Sequence, residues 1–312
     1  MATPVPLTLL GGFLGAGKTT LLNHLLGASH GRRVAVLVND FGAINIDASL
    51  VRRHAGETLE LANGCICCSL GNNLMFTLID LLERPEPPEH LLIEASGVAD
   101  PARLAQIALA DPGLDLDGVL VVVDAAGVRQ QADDRYVGET VRRQLASADL
   151  LVLNKRDLLD DSGVRALRGW LASVAPGVAM VEAVRGEVPL SVLLGLPDAG
   201  TRAGLLTGEI EHPDYRTLAL DEPRAVATVA LREVLAALPA TVLRVKGVVR
   251  DEAGRRLLVQ RVGQRLEYRD DGNWVTGEHS RLVLIAVADA PDLADWETRI
   301  RATLGANAPG LA

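Results

Sequence analysis

A short stretch near the start of the chain, residues 7–20, limits the possible folds more than any other feature of the sequence. It reads L-T-L-L-G-G-F-L-G-A-G-K-T-T, an apolar run followed by a loop with four glycines and then by residues with helical spacing. An apolar run of this length is typical of a buried strand, and glycines give a loop backbone freedom that other residues lack. The stretch therefore predicts a strand, a tight loop and a helix in direct succession, as in α/β domains.

The same alternation continues through the first two-thirds of the chain. Short runs rich in Val, Leu and Ile are predicted strands, at residues 7–10, 34–38, 91–94, 118–123 and 150–153. Segments with helical spacing between them are predicted helices, at residues 19–26, 72–82, 101–108 and 136–146. Because the strands are almost continuously apolar, we expect them to be parallel and covered on both faces. The predicted fold class is an α/β domain with a mostly parallel sheet flanked by helices.

The last third of the chain has a different pattern. A segment rich in Gly, Asp and Thr follows Pro197 and is the predicted linker. Beyond it, strands are predicted at 241–250, 255–260, 265–269 and 281–287, helices at 225–238 and 292–304, and a turn at 270–273. The predicted organisation is a first domain at 1–198, a linker at 199–216, and a smaller C-terminal α+β domain with an antiparallel sheet at 217–312.

Charge and composition exclude several classes of protein. The formal net charge of the 312-residue chain is −9, which disfavours a protein that holds nucleic acid by general electrostatic attraction. The longest apolar runs are strand-sized, so we expect no segment that crosses a membrane. Residues 1–10 lack the basic and apolar regions of a signal peptide, which makes the cytoplasm the expected location.

The loop at residues 12–19 has the spacing G-x-x-x-x-G-K-T, which between a strand and a helix is the pattern of a phosphate-binding loop. Its glycines let successive backbone N–H groups face phosphate oxygens at the positive end of the helix. Lys18 is expected to reach the β- and γ-phosphates of a nucleotide, and Thr19 to ligate Mg²⁺. A glycine-rich turn that carries a lysine by chance is the simpler alternative, which the flanking strand and helix disfavour. The predicted nucleotide-binding residues are Gly12, Gly15, Ala16, Gly17, Lys18, Thr19 and Thr20.

A second motif, N-K-R-D at residues 154–157, follows the predicted strand at 150–153. A carboxylate at Asp157 can accept both hydrogens of the N1 and N2 edge of guanine, which adenine does not offer, while Lys155 covers the ring. Alone, these four residues could be a polar helix start in which Asn154 or Asp157 is a cap. Downstream of a phosphate-binding loop, they predict that the nucleotide is GTP rather than ATP.

Two acidic residues, Glu94 and Asp40, are candidates to act on the γ-phosphate of the nucleotide, and we expect them to be catalytic together with Lys18. Glu94 ends a predicted strand, where its carboxylate could hold a Mg²⁺-bound water or orient the attacking water, and Gly97 allows a close backbone approach to the phosphate. Asp40 lies in V-N-D-F-G and could help to hold Mg²⁺ or to position water. The simpler alternative for Glu94 is a solvated side chain at the end of a strand, and the simpler alternative for Asp40 is an ordinary turn residue.

All three cysteines of the chain, Cys65, Cys67 and Cys68, lie within N-G-C-I-C-C-S at residues 63–69. Clustered thiolates suit Zn²⁺ or Cu⁺, whereas structural disulfides are rare in a reducing compartment. The adjacent residues Cys67 and Cys68 can both bind one ion only if the backbone turns sharply between them. A site with three thiolates and a site with two thiolates plus one outside ligand are therefore equally good hypotheses, and His54 is the candidate for the outside ligand. A redox pair and small buried hydrophobic residues are the alternatives.

With these motifs in order, the chain resembles the CobW-type family of metal-chaperone GTPases, in the SIMIBI class of P-loop GTPases. The resemblance rests on G-G-F-L-G-A-G-K-T-T-L-L-N-H-L-L (11–26), N-D-F-G (39–42), E-L-A-N-G-C-I-C-C (60–68), E-A-S-G-V-A-D-P (94–101) and N-K-R-D (154–157). R-V-K-G (244–247) and the segment from Trp274 to 283 look like the C-terminal domain of that family. The resemblance thus covers nearly the whole chain.

The resemblance implies a GTP-dependent chaperone that binds zinc, or in some members cobalt, and delivers it to a client protein. By match, Cys65, Cys67 and Cys68 correspond to the metal motif of the family, with Lys18, Thr19 and Glu94 in its GTPase machinery. Metal affinity in the family is coupled to the nucleotide state. Many relatives have glutamate where this chain has Asp40, and additional metal ligands of some relatives are not matched here.

The leading functional hypothesis is therefore a GTPase metallochaperone that uses GTP, Mg²⁺ and Zn²⁺, with Co²⁺ as the alternative metal. One alternative is a GTPase insertase for a specific metalloenzyme or for a cobalamin pathway. Another, from a different class, is a regulatory GTPase switch whose thiols sense redox state. The expected partners are a client metalloprotein and, in a nucleotide-dependent homodimer, a second copy of the chain; neither nucleic acid nor a membrane is expected.

Overall fold

The structure of the protein, a computed structural model, describes residues 4–27, 33–38, 58–60, 72–195, 211–212, 214–290 and 292–305. The chain divides into two compact units, Met1–Pro189 and Leu190–Ala312. Within the described ranges, no helix is both long enough and apolar enough to cross a bilayer. Three sequence predictions, the linker, Asp40 and the cysteine cluster, lie wholly or largely outside the described residues.

The described residues of the first unit form a seven-stranded sheet with the order β3-β2-β4-β1-β5-β6-β7. Its strands are β1 (Val5–Gly11), β2 (Val34–Val38), β3 (Thr58–Glu60), β4 (His90–Glu94), β5 (Leu114–Asp124), β6 (Leu150–Asn154) and β7 (Ala179–Glu182). Each neighbouring pair is parallel. This confirms the predicted α/β fold class.

Helices connect these strands, as a parallel sheet requires. They are α1 (Lys18–Gly27), α2 (Asn72–Leu82), α3 (Pro101–Ala110), α4 (Val128–Asp133), α5 (Gly138–Ala146) and α6 (Asp161–Val174). Every residue of β2, β4 and β6 is buried, because helices cover both faces of the sheet. Parallel strands end at one edge of the sheet, so the loops that follow β1, β4, β5 and β6 are brought together there.

One polar cluster lies inside the apolar core of this sheet. The Thr8 hydroxyl donates to Asp117 Oδ2 at 3.1 Å and lies 2.8 Å from His90 Nε2, and all three residues are fully buried. Leu7 pairs with Leu116 but Thr8 pairs with Gly118, so Asp117 is the extra residue of a β-bulge. The bulge directs the Asp117 carboxylate to the Thr8 hydroxyl, which supplies a hydrogen-bond partner that a buried carboxylate needs.

The described residues of the second unit form a six-stranded sheet with the order β12-β11-β10-β13-β9-β8. Its strands are β8 (Glu211–His212), β9 (Tyr215–Glu222), β10 (Val242–Arg250), β11 (Arg255–Val262), β12 (Arg265–Asn273) and β13 (Ser280–Val287), and its helices are α7 (Leu190–Leu194), α8 (Thr228–Ala236) and α9 (Leu293–Gly305). Neighbouring strands are antiparallel. An α+β unit with an antiparallel sheet confirms the second half of the predicted fold class.

Two buried arginines of the second unit donate hydrogen bonds to backbone carbonyls at the ends of its helices and strands. Arg244 donates from Nε to the Val192 carbonyl and from Nη2 to the Leu193 carbonyl, and so satisfies the end of the short helix α7. Arg261 donates to the carbonyls of Val242 and Leu238, both at 2.7 Å. Burial of the Arg261 guanidinium lowers its pKa to about 10.

The turn predicted at residues 270–273 is wrong. Strand β12 continues to Asn273, which pairs with Arg255, while Leu257 pairs with Asp270. The Asp270 carboxylate accepts a hydrogen bond from Gly272 N, and Gly272 has a φ of 92°, so these turn-type residues form a bulge within the strand. Aspartate and glycine favour both local structures, and only the pairing with β11 distinguishes them.

Candidate functional site

The predicted phosphate-binding loop lies between β1 and α1 and owes its shape to three glycines. Gly12, Gly15 and Gly17 have φ values of 135°, 76° and 103°, which side chains rarely permit. A Cβ atom on Gly12 would lie 2.4 Å from the Val122 carbonyl oxygen, so only glycine lets the loop approach β5 this closely. The loop therefore turns at the carboxyl edge of the sheet and leads directly into the N-terminus of α1 at Lys18.

Lys18 and Glu94, which the sequence places 76 residues apart, lie together at this edge. Leu10 of β1 pairs with Glu94, the last residue of β4. The Lys18 ammonium donates to the Gly12 carbonyl at 3.0 Å and lies 3.9 Å from Glu94 Oε1, with both side chains buried. A buried cation and a buried carboxylate thus flank the end of the loop where phosphate oxygens would bind.

The first turn of α1 supplies hydroxyl groups next to this pair. Thr19 is half-buried and Thr20 is exposed. Hydroxyl and carboxylate oxygens are the ligands that Mg²⁺ prefers, usually together with phosphate oxygens and water. Thr19 and Glu94 therefore offer donors that fit this cation.

The segment after β4 packs directly against the phosphate-binding loop. A Cβ atom on Gly97 would lie 2.5 Å from Leu14 Cδ2, so this position admits only glycine without rearrangement. Gln144, a buried residue of α5, donates to the carbonyls of Gly97 and Ala99 at 3.1 and 2.8 Å. The predicted residue Gly97 is therefore held in place by a glutamine that no sequence motif indicates.

Asn154 joins the predicted base motif to the predicted phosphate-binding loop. Its side-chain amide donates to the Ala16 carbonyl at 2.9 Å, and its side-chain oxygen accepts from Gly186 N at 2.9 Å. The residue is 2% exposed. Two motifs separated by more than a hundred residues in the sequence thus form one continuous site.

Two charged residues of the base motif, Lys155 and Asp157, lie at a sharp turn after β6. Lys155 adopts the left-handed backbone conformation, with φ 59° and ψ 33°, and donates to Asp124 Oδ2 at 2.7 Å. Asp157 is exposed in the 3₁₀ turn Arg156–Leu158. The Asp157 carboxylate is therefore accessible to a ligand next to the turn that carries Lys155.

One loop of this site, the residues after β7, is not predicted from the sequence. Ala183 N donates to the Leu153 carbonyl and Gly186 N donates to Asn154. Gly186 has a φ of 72°, and a Cβ atom there would lie 2.7 Å from the backbone of Leu21. The available signal is a single glycine four residues after a short strand, which is too common to predict a site.

Five of the residues predicted for the site, Asp40, His54, Cys65, Cys67 and Cys68, lie outside the described residues. Their roles stay predictions. Within the part of the chain that the structure describes, no group of three or more His, Cys, Asp and Glu side chains is arranged to hold a metal ion.

A Gly17→Ala variant should bind GDP at least about tenfold more weakly than the unchanged chain, because alanine is strained at this φ. Its Cβ atom would also lie 2.2 Å from Asn154 Nδ2, which disturbs the link between the two motifs. Gly27→Ala is the matched control, since a Cβ atom at this end of α1 meets no atom within 4 Å. Calorimetric titration with GDP checks both, and equal affinity for the Gly17→Ala and Gly27→Ala proteins would contradict the role of Gly17.

Two family models match the chain. Residues 6–182 match the model described as "CobW/HypB/UreG, nucleotide-binding domain". Residues 215–305 match the model described as "Cobalamin synthesis protein cobW C-terminal domain". The first match contains the phosphate-binding loop, Glu94 and the N-K-R-D motif, which are the residues that the structure brings together.

Several curated proteins are similar over almost their full length. A "Zinc chaperone CobW" of a Sinorhizobium species is 34% identical, with 93% of this chain and 95% of that protein covered. A protein of the same name from Pseudomonas aeruginosa is 34% identical, with 96% and 92% covered. A "Zinc chaperone YjiA" of Escherichia coli K12 is 30% identical, with 94% and 89% covered.

Proposed function

The chain belongs to the CobW/HypB/UreG family, and we propose that it is a GTP-hydrolysing metallochaperone that binds Zn²⁺ and transfers it to a client protein. The observation that carries the nucleotide half of this proposal is the pair of hydrogen bonds made by Asn154. They join the base motif to the phosphate-binding loop in one site. The cysteine cluster and the zinc-chaperone names of the relatives support the metal half.

The base is guanine in this proposal because of Asp157. Its carboxylate is exposed beside Lys155 and can accept the N1 and N2 hydrogens of guanine at once. The corresponding edge of adenine presents a ring acceptor, which a carboxylate repels. The nucleotide is therefore GTP, with Lys155 covering the ring.

The phosphate end of the site supplies the groups for hydrolysis. Lys18 neutralises charge on the β- and γ-phosphates, and Thr19 holds Mg²⁺. Glu94, buried 3.9 Å from the Lys18 ammonium, orients the attacking water or a Mg²⁺-bound water. The Gly97 backbone senses the γ-phosphate, and Asp40 is the proposed second carboxylate of the Mg²⁺ shell.

Zn²⁺ is the cargo of the protein in this proposal, held by thiolates of Cys65, Cys67 and Cys68, with Co²⁺ as the alternative cargo. The cluster lies in the sequence between Asp40 and Glu94, which are the two segments proposed to contact the γ-phosphate side. A loop between two such segments can be ordered or released when the γ-phosphate is lost. Hydrolysis of GTP would then change the affinity of the cysteine cluster for Zn²⁺.

The proposed partner is a client metalloprotein that receives the ion, in the cytoplasm. The second unit, which carries the CobW C-terminal domain, is assigned to recognition of the client or of a second copy of the chain. If the second unit recognises a second copy of the chain, the proposed assembly is a homodimer that forms when nucleotide is bound.

An Asp157→Asn variant tests the proposed base specificity. The asparagine amide repels the N1 and N2 hydrogens of guanine but can donate to the C2 oxygen of xanthine. We expect its GDP affinity to fall at least about hundredfold, while its affinity for XDP rises above that of the unchanged chain. Calorimetric titrations with GDP, XDP and ADP measure this exchange.

Asp161→Asn is the control, because Asp161 is exposed four residues further along and pairs with Arg156. We expect this protein to keep its preference for GDP. A chain that binds ADP as tightly as GDP, or an Asp157→Asn protein with unchanged GDP affinity, would refute guanine recognition by this motif.

A further inference from the structure

We propose that Asp124 is a positioning residue for guanine binding, because its carboxylate fixes Lys155 before the nucleotide arrives. This inference rests on the proposed function, in which the stem of Lys155 covers the base. It adds a residue that neither the sequence motifs nor the named relatives point to. Asp124 is the last residue of β5, outside the N-K-R-D motif.

The register of the sheet places Asp124 beside this motif. Strands β5 and β6 are parallel neighbours, and Asp124 pairs with Asn154, the residue before Lys155. The Lys155 ammonium donates to Asp124 Oδ2 at 2.7 Å, with the Asp124 side chain 16% and the Lys155 side chain 35% exposed. Among the described residues, Asp124 is the acidic side chain that pairs with Lys155.

The Asp124 carboxylate is itself held in place. Its other oxygen, Oδ1, accepts from Ala126 N at 3.1 Å and from Gly127 N at 3.2 Å. These bonds close the turn after β5, where Gly127 N also donates to the Asp124 carbonyl. One oxygen therefore anchors the carboxylate to the backbone, and the second is left to hold the lysine.

A tether fixes the Lys155 side chain before a ligand binds. A free lysine side chain has many rotamers, and a ligand that immobilises one loses affinity for that reason. Its backbone is also in the left-handed region, which is uncommon for a residue other than glycine, asparagine or aspartate. With the ammonium already bound to Asp124, the stem is presented in one orientation.

Lysine rather than arginine at position 155 agrees with a side chain that must lie along the base and end on one carboxylate oxygen. The sequence contains three lysines, Lys18, Lys155 and Lys246, against 28 arginines. A straight four-carbon stem with a compact ammonium can lie along a ring and end on a single carboxylate oxygen. A guanidinium is a planar fork that favours two oxygens at once.

The test is a double-mutant cycle on GDP affinity measured by calorimetry, with the full-length chain. Asp124→Asn keeps an oxygen for Ala126 and Gly127 but loses the charge that holds the lysine. Lys155→Met keeps the stem and removes the ammonium. We expect each variant to bind GDP between about twofold and tenfold more weakly, and the double variant to be no weaker than either alone.

Asp149→Asn is the matched control. Asp149 is also half-buried beside a strand end, but it accepts from Val119 N where β6 begins, at the opposite edge of the sheet. GDP affinity should be unchanged in this variant, and circular dichroism should show that all the variants are folded.

The outcomes separate the inference from the function on which it rests. Unchanged GDP affinity in Asp124→Asn, or losses that add in the double variant, would overturn the positioning role while leaving guanine binding intact. An unchanged chain that does not bind GDP would overturn both. If Asp124→Asn does not fold, unchanged GDP affinity in Lys155→Met would still overturn the positioning role, because this substitution removes the ammonium and leaves the turn after β5 intact.

Discussion

A Lys18→Ala variant should hydrolyse GTP at least about a thousandfold more slowly than the unchanged chain. The Lys18 ammonium is buried, donates to the Gly12 carbonyl at 3.0 Å and lies 3.9 Å from Glu94. Charge that develops on the transferred phosphoryl group in the transition state is stabilised by a fixed cation in a site that excludes water. Alanine is a good helix former at this position but removes that cation.

The measurement is the rate of phosphate release at saturating GTP and Mg²⁺, together with GDP affinity. Because Lys18 is proposed to contact the β-phosphate as well, GDP affinity should also fall. Arg165→Ala, which removes an exposed cation from α6 in the same unit, is the control and should hydrolyse GTP normally. If Lys18→Ala and Arg165→Ala proteins have the same rate, the loop is not the hydrolytic site.

The second large effect is expected at the cysteine cluster. A Cys67→Ala/Cys68→Ala variant should bind Zn²⁺ at least about a thousandfold more weakly, because two thiolates supply a large part of the free energy of a zinc site. GTP hydrolysis with Mg²⁺ but without Zn²⁺ should continue, since neither cysteine belongs to the proposed nucleotide machinery. Competition with a chromophoric chelator measures the affinity.

Two histidine variants complete this experiment. His279→Ala removes a histidine of the second unit that pairs with Asp221, and it should leave zinc affinity unchanged. His54→Ala should weaken zinc binding only if His54 is the outside ligand. A double-cysteine variant with full zinc affinity would contradict metal binding by the cluster, and reversible oxidation of the thiols that alters the GTPase rate would support the redox hypothesis instead.

The residues of the phosphate-binding loop could be predicted because their chemistry is local. Glycines at Gly12, Gly15 and Gly17 are needed for φ values that the structure shows, and the lysine and threonine follow at fixed offsets. The N-K-R-D motif could also be read directly. What the sequence does not show is that Asn154 bridges Ala16 and Gly186, because that contact depends on the order of the strands.

Elements with a weak periodic signal were harder to predict. Strand β7, with the sequence A-M-V-E, lies at the edge of the sheet and alternates between buried and half-buried residues. It has a single β-branched residue, so its strand signal is weaker than that of β2. The sequence therefore does not predict the loop that follows β7. Gln144 was missed for another reason, since a glutamine on a helix is usually solvated and only packing shows that it holds Gly97.

Asp124 illustrates the same limit at the site itself. The sequence V-V-V-D-A places an aspartate at the end of a strand, where it could cap a turn, and it does so through Oδ1. Its second oxygen meets Lys155 only because β5 and β6 are parallel neighbours in register. The roles of Asp40 and the three cysteines still rest on the sequence, as predictions.

One titration tests whether the bound nucleotide controls the zinc affinity of the protein. Zinc affinity is measured by chelator competition with Mg²⁺ and either GDP or a non-hydrolysable GTP analogue. We expect one tightly bound Zn²⁺ per chain and a zinc affinity that differs by about tenfold or more between the two nucleotides. Equal zinc affinity in both nucleotide states would contradict it.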